Sequence, residues 1–342
     1  MKLHMTRMIR AALLGASGYV GGELMRLIAL HPGIEVGVAF GASNAGQGVA
    51  AIHPHLSLAY PDMAFAAWNP ALLSGCDLIF AALPHGETQR LADELIGPGI
   101  PLVDLGADFR LDSAEEFERW YGDRHARPEL LGQFTYGLPE FFRDEIKGSK
   151  LVAAPGCYPT AANLALKPLL DAGTIEKQGI IVDAASGVSG AGRAANTGSH
   201  FCAVDGSFRA YGLAKHRHTA EMEMVTGTEV LFTPHLMAAS RGILATCYAR
   251  ATGSPDPLSI LREAYAGEPF VHVGETPPET KWATGSNSAF LSARHDERTG
   301  MVIALAAIDN LGKGAAGQMI QCANLMLGLD ENAGLSNMGV YP

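Results

Sequence analysis

The stretch "MIRAALLGASGYVGGELMRLIALHPG", residues 8–33, decides the fold. Met8 to Leu14 reads as a short apolar strand. "GELMRLIALHPG" reads as a helix, with Leu24, Leu27 and Ile28 on one face and a stop at Pro32-Gly33. Between them lie Gly15, Ser17, Gly18 and Gly21. Glycines at this spacing allow a tight turn and let the backbone approach a pyrophosphate, which then rests on the helix N-terminus. An ordinary glycine-rich turn has the same composition. Its place directly after the first strand and before a helix is what makes this one a dinucleotide-binding turn.

Outward from that unit the pattern repeats. "IEVGVAF" (34–40), "CDLIFAAL" (76–83) and "PLVDLG" (101–106) read as strands, and "ETQRLADELIGPG" (87–99) as a helix. Strands alternating with helices predict a parallel, doubly wound, Rossmann-type α/β sheet. Residues 109–150 are more polar, and "FRDEIKGSK" (142–150) reads as a surface stretch. Past Cys157 the rhythm changes. "GIIVDAASGVSGAGR" (179–193), "GTEVLFTPHLM" (227–237), "RGILATCYARA" (241–251) and "MVIALAAIDN" (301–310) are strands separated by long loops, as in a mixed or antiparallel sheet. "GAAGQMIQCANLMLGL" (314–329) reads as an amphipathic helix that packs back on the first domain. The expected division is residues 1–153 with 315–342 as the dinucleotide-binding domain, and 154–314 as an α+β catalytic domain.

Composition narrows the partners. The 342 residues carry a formal charge of −10, which argues against a nucleic-acid surface but leaves room for a local cationic pocket. No apolar run approaches the ~18 residues that span a bilayer, so no membrane partner is expected. Basic residues precede apolar ones at the start, as in an export signal, yet the apolar part runs at once into the glycine turn, so it is read as a strand. The 5 cysteines are odd in number, widely spaced and without metal spacing. They fit free thiols in a reducing cytoplasm and no structural metal.

One cysteine stands apart. In "AAPGCYPTAANLALKPLL" (153–170), Cys157 sits between a Pro-Gly bend and a helix whose first turn suits Pro159. A helix dipole there favours thiolate, which points to a nucleophile rather than a buried small side chain. "KHRHTAEME" (215–223) offers His216 and His218, Thr219 as a helix cap and Glu221 in the first turn. A thiolate enzyme needs a general acid/base and a carboxylate that orients it; a capped polar helix has the same residues. His-x-His also suits a metal, but no third ligand lies nearby in sequence. "LGADFRL" (105–111) puts Arg110 just beyond a strand end, a station for an arginine that grips a carboxylate or phosphate, or for a solvated loop. In "VGVAFGASNAGQG" (36–48) no acid stands where NAD-binding chains hold the ribose, which leans towards NADP, with Ser43 and Asn44 as donors.

Together "GASGYVGGELMRLI", "LGADFRL", "YGLPE", "PGCYPTAA", "SGVSGAGR", "HRHTAEME", "FTPHL", "RGIL" and "KGAAGQ" resemble the N-acetyl-gamma-glutamyl-phosphate reductases of arginine biosynthesis, members of the semialdehyde dehydrogenase superfamily. They follow the family's order from residue 11 to about 330. The resemblance implies Cys157 as nucleophile, His216 as acid/base, Glu221 as the orienter of His216, and Arg110 and His218 as contacts to an acyl-phosphate substrate. It places Asn310 near the nicotinamide of NADP. It also implies a Rossmann domain completed by the C-terminal helix, and a homo-oligomer, dimer or tetramer. "TAEMEM", "HLMAASRGI" and the Leu311 before "GKGAAGQ" depart from the family's usual residues beside these groups. The same chemistry on aspartyl or aminoadipyl phosphate remains an alternative, as does a Cys/His acyltransferase or hydrolase.

Overall fold

The computed structural model describes residues 7–341; residues 1–6 and 342, which the expected domain bounds include, lie outside the described residues. The chain divides into two compact units. The first reaches to Ala114 and adds Arg124–Ala154 and Ala316–Leu335; the second holds Glu115–Asp123, Pro155–Ala315 and the stretch from Ser336 on. That last stretch departs from the expected division. Ser336 accepts the Asn287 N–H at 2.8 Å and Val340 donates to Thr284 O at 2.7 Å, which ties it to the second unit.

In the first unit the strands are β1 (Ile9–Leu14), β2 (Ile34–Phe40), β3 (Leu78–Ala81), β4 (Leu102–Asp104), β5 (Thr135–Tyr136) and β6 (Leu151–Ala153). They form one sheet in the order β2-β1-β3-β4-β6-β5, and every pair is parallel. Alternate residues of β1 feed two cores. Ala11 and Leu13 meet Leu24, Met25, Ile28, Met319 and Ile320 on one face. Ala12 and Leu14 meet Leu73, Leu91, Leu95 and Phe109 on the other. Both faces are covered, which is why β1 runs apolar from Ala11 to Leu14 and β3 from Leu78 to Ala81 instead of alternating.

Several local expectations change. The helix expected over 87–99 is broken into Glu87–Arg90 and Ala92–Ile96, with Leu91 at φ −95°, ψ 8°. The buried Asp108 carboxylate draws the N–H groups of Gly86 and Gln89 to itself at 2.8 and 3.0 Å, fixing the first turn apart from the second. "FRDEIKGSK" is not merely surface: Pro139–Gly148 is a helix anchored by buried Pro139 and Ile146. Gly317–Met326 is buried on all sides rather than amphipathic. Two of its buried amides are satisfied inside the unit, Asn324 by His31, Glu331 O and Ala333 O, and Gln321 by Glu331.

The second unit is built on a seven-stranded mixed sheet. Its strands are β7 (Ile180–Gly187), β8 (Phe208–Ala210), β9 (Val230–Met237), β10 (Ile243–Arg250), β11 (Val271–Val273), β12 (Ala289–Asp296) and β13 (Met301–Ile308), in the order β11-β12-β13-β10-β7-β9-β8. β7 pairs parallel with β9 and antiparallel with β10. Burial alternates along β7, β10 and β13, so one face is packed and the other half-open. The packed face carries the helix Cys157–Asp171, whose Ala161, Ala162 and Ala165 are fully buried. Among the described residues no helix is long and apolar enough to cross a membrane.

Candidate active site

In the first unit the glycine turn has the shape that a pyrophosphate requires. Gly15 sits at φ +75°, and a Cβ on it would lie 2.2 Å from Ala82 O. A Cβ on Gly21 would lie 2.4 Å from Ala16 Cα. Only glycine fits either place, so helix and strand close up as far as backbone allows. Gly18 heads the helix Tyr19–Ile28 with no side-chain cap and no acid in the first turn, leaving the positive end open to an anion. Ser17 Oγ donates to Gly41 O at 3.3 Å, tying the turn to the end of β2. Ser43 lies just beyond, exposed in the short turn Ala42–Asn44. The β1–β3 boundary, where the strand order reverses, is where such sheets bind nucleotides. The residues present fit a dinucleotide.

The loop after β4 is not solvated. Asp108 is fully buried and Arg110 nearly so. Asp108 Oδ1 also lies 2.9 Å from His85 Nδ1, and Arg110 Nη2 donates to Leu105 O at 2.6 Å. Asp104, at the end of β4, accepts from Thr88 Oγ1 and the Gly106 N–H. Burial pushes its carboxyl up to about 7, against those hydrogen bonds and the Arg110 charge, which pull the other way. The loop that presents Arg110 is therefore held by internal carboxylates.

The second unit gathers the remaining groups. Cys157 is the first residue of the helix Cys157–Asp171, half-buried, behind Gly156 at the cap position. Gly156 donates its N–H to Glu221 Oε2 at 2.9 Å, across 65 residues of sequence. Glu221 is itself fully buried, and its Oε1 lies 4.0 Å from His218 Nε2. The carboxylate thus sits with His218, one turn along the helix His218–Thr226, and not behind His216, where the family resemblance puts it. Nor is Thr219 the cap. Arg217 takes the cap position with no side-chain bond, and His216 just before it receives the first amides, its Nδ1 accepting the His218 N–H at 3.2 Å and its carbonyl the Thr219 N–H at 3.0 Å.

His216 is packed edge-on against Tyr158, Tyr211 and Phe232, with ring centroids 5.6, 5.5 and 5.3 Å away. That burial, and then the Arg217 charge, lower its pKa from the ordinary histidine value to about 4. The ring is neutral at pH 7, and with Nδ1 accepting, its proton resides on Nε2. Tyr211 donates to Tyr158 Oη at 3.1 Å, and Tyr158 donates to His235 O at 2.9 Å. Cys157, Tyr158, Tyr211, His216 and His218 all line one cavity of about 480 Å³. The two tyrosines are not foreseen from sequence, although each lies within a few residues of one that is. Neither spacing nor charge marks a tyrosine as lining a cavity.

Asn310 lies just past β13, buried. Its Nδ2 donates to Ser189 Oγ at 2.8 Å and its Oδ1 accepts the Gly242 N–H at 2.8 Å, so it braces the loop after β7. That loop lines the cavity through Gly190 and Ala191. Next to Asn310, Gly314 packs against Cys157 so closely that a Cβ on it would lie 2.8 Å from Cys157 Cβ.

Residues 10–149 match the family model described as semialdehyde dehydrogenase, NAD binding domain, and residues 157–310 match semialdehyde dehydrogenase, dimerisation domain. A protein of Symbiobacterium thermophilum named N-acetyl-gamma-glutamyl-phosphate reductase is 49% identical, covering 98% of this chain and 99% of its own. The chain belongs to the N-acetyl-gamma-glutamyl-phosphate reductase family. An Ectopseudomonas mendocina protein of that name is 45% identical over 98% of this chain and 100% of its own. The fold extends beyond the reductase family. Aspartate semialdehyde dehydrogenase II of Vibrio cholerae superposes with a TM-score of 0.70 at 15% identity, covering 94% of this chain and 99% of that one. The first unit is thus an NAD(P)-binding domain, and the second carries a semialdehyde dehydrogenase dimerisation domain.

Proposed function

We propose that the chain reduces N-acetyl-gamma-glutamyl phosphate to N-acetylglutamate semialdehyde and phosphate, in arginine biosynthesis, with NADPH as reductant and Cys157 as nucleophile. The observation that carries this reading is the cavity in which Cys157, at the head of a buried helix, shares walls with His216 and His218. Gly15, Ser17, Gly18 and Gly21 would hold the pyrophosphate of the dinucleotide, and Ser43 the ribose end. When bound, that group supplies hydride.

The chain's own residues do the rest. Cys157 as thiolate attacks the acyl carbon; the C–O bond to phosphate breaks, phosphate leaves with the electron pair, and a thioester remains. After reduction the acyl group stays on Cys157 with its oxygen negative. The Nε2–H of neutral His216 donates a hydrogen bond to that oxygen. Collapse breaks the C–S bond, releases the aldehyde and returns the thiolate. Glu221 fixes the geometry from behind, holding the Gly156 N–H and standing beside His218. Asn310 braces the loop over the cavity, and Arg110 and His218 bind the anionic substrate.

Phosphate-dependent oxidation of N-acetylglutamate semialdehyde, followed at the nicotinamide absorbance, tests the reading. Faster turnover of aspartate or aminoadipate semialdehyde would transfer the assignment to that acyl phosphate. NADP should give the higher kcat/KM, because no carboxylate follows β2 to repel a 2′-phosphate. Equal or better efficiency with NAD under the same conditions would overturn the coenzyme assignment. Arg110→Lys keeps the charge but loses the planar fork, so the KM for substrate or phosphate should rise roughly tenfold. Unchanged Michaelis constants for both would remove Arg110 from the site.

The enzyme works as a homo-oligomer, dimer or tetramer. Half-buried Leu244, Tyr248, Ile303 and Leu305 give a second copy an apolar face on the open side of the sheet. All five cysteines are free, which supports a reducing compartment, the cytoplasm.

A further inference from the structure

The cavity around Cys157 carries charge that the proposed chemistry leaves unassigned. Arg209, Lys215 and Arg217 line it, and no aspartate or glutamate does. His216 adds nothing to that charge at neutral pH, since burial keeps its ring unprotonated. Two of the three cations are already engaged. Arg209 Nη2 donates to Gly198 O at 3.0 Å, and the Arg217 guanidinium lies 5.2 Å over the Tyr121 ring. Lys215, among the described residues, makes no side-chain hydrogen bond or ion pair.

The backbone that delivers Lys215 is unusual as well. Gly212 lies at φ +59° and Ala214 at φ +53°, and the Lys215 N–H closes the turn on Gly212 O at 3.0 Å. Ala214 is one of two non-glycine residues with positive φ among those described. An L-residue holds that conformation only where its surroundings impose it, and such positions cluster at ligand clamps. Here the turn sets an unengaged ammonium on the wall of the cavity that also holds the nucleophile.

We propose that Lys215 is a substrate-binding residue whose ammonium takes an oxyanion of the acyl phosphate, either its phosphate or its α-carboxylate. This rests on the functional reading above. Both oxyanions suit a compact point charge with three donors, and no carboxylate in the cavity lining competes for the ammonium.

The test uses Lys215→Met and Lys215→Arg in the oxidative direction, with the KM for inorganic phosphate and for N-acetylglutamate semialdehyde measured separately. Lys215→Met should raise one of the two by about tenfold to a hundredfold, with kcat within a few-fold of wild type, and Lys215→Arg should recover most of the loss. A rise confined to phosphate assigns Lys215 to the leaving group; a rise confined to the semialdehyde assigns it to the carboxylate. Both constants unchanged, or a fall in kcat alone, overturns the proposal. A second measurement needs no turnover: the rate of iodoacetamide alkylation at Cys157, read by mass spectrometry, with inorganic phosphate or N-acetylglutamate as protectant. One of these should slow alkylation of wild type and lose that effect in Lys215→Met. Protection that survives in Lys215→Met, or no protection by either anion in wild type, also overturns it. A wild-type protein inactive on the semialdehyde would sink the functional reading, while the alkylation result still decides Lys215.

Discussion

Cys157→Ala should abolish phosphate-dependent oxidation of the semialdehyde and reduction of the acyl phosphate alike, by on the order of 10⁴-fold or more. The thioester cannot form without sulfur, and alanine fills the same first helical position without strain. Binding of NADPH, titrated by its fluorescence, should be unchanged, because the glycine turn belongs to the other compact unit of the chain. A variant that retains near-normal turnover would dispose of the covalent route. One that loses NADPH binding as well would show that the substitution had disturbed more than the nucleophile.

His216→Asn should lower kcat by about 10²–10⁴. The form of its pH dependence is more telling than its size. Sequence alone suggests an acid/base histidine whose loss flattens the profile near neutrality. In the structure, burial among Tyr158, Tyr211 and Phe232, with Arg217 next to it, lowers the pKa to about 4. The group whose proton matters is then the Nε2–H of a neutral ring, present at every pH above about 4. Wild type should therefore show no His216 step near pH 6.5 in kcat/KM, and the His216→Asn profile should run parallel below it. His218→Asn should act mainly on substrate KM. Should His218→Asn erase a pH step while His216→Asn leaves the rate intact, the two roles are exchanged.

What the sequence discloses follows physical range. The opening strand, glycine turn and helix are legible because each local cue, apolar run, glycine spacing and helical face, points the same way over a few residues. The strands β5 and β6 are not, since Thr135–Tyr136 and Leu151–Ala153 are too short to show a period. Helix Pro139–Gly148 hides behind charges because its inward side is just Pro139 and Ile146, buried, and Phe142, half-buried against the core. At the site, Cys157, His216, His218 and Glu221 can be named from residue type and spacing. Their partners cannot. Glu221 reaches Gly156 across 65 residues, and no spacing announces such a bond. The depressed pKa of His216 comes from rings contributed by three separate parts of the chain.

The helix that begins at Cys157 has consequences for how this enzyme can vary. From Tyr158 to Leu170 nearly every residue is buried, and Ala161, Ala162 and Ala165 leave no slack against the sheet. Larger side chains there would overpack the core, a change that typically costs ~1–3 kcal/mol. Gly314 closes the same corner from the other side. Elsewhere in the cavity lining Gly190, Ala191, Arg209, Gly212 and Lys215 are exposed. Ala191 and Arg209 can exchange side chains at little cost to stability, since surface changes usually stay within about 0.5 kcal/mol; Gly212, held at φ +59°, cannot, and Lys215 is kept by the role proposed for it. Changes of substrate choice should therefore be accepted most readily at those two exposed positions, where stability does not oppose them. The helix that begins at Cys157 tolerates little change, while Ala191 and Arg209 can be rewritten around it.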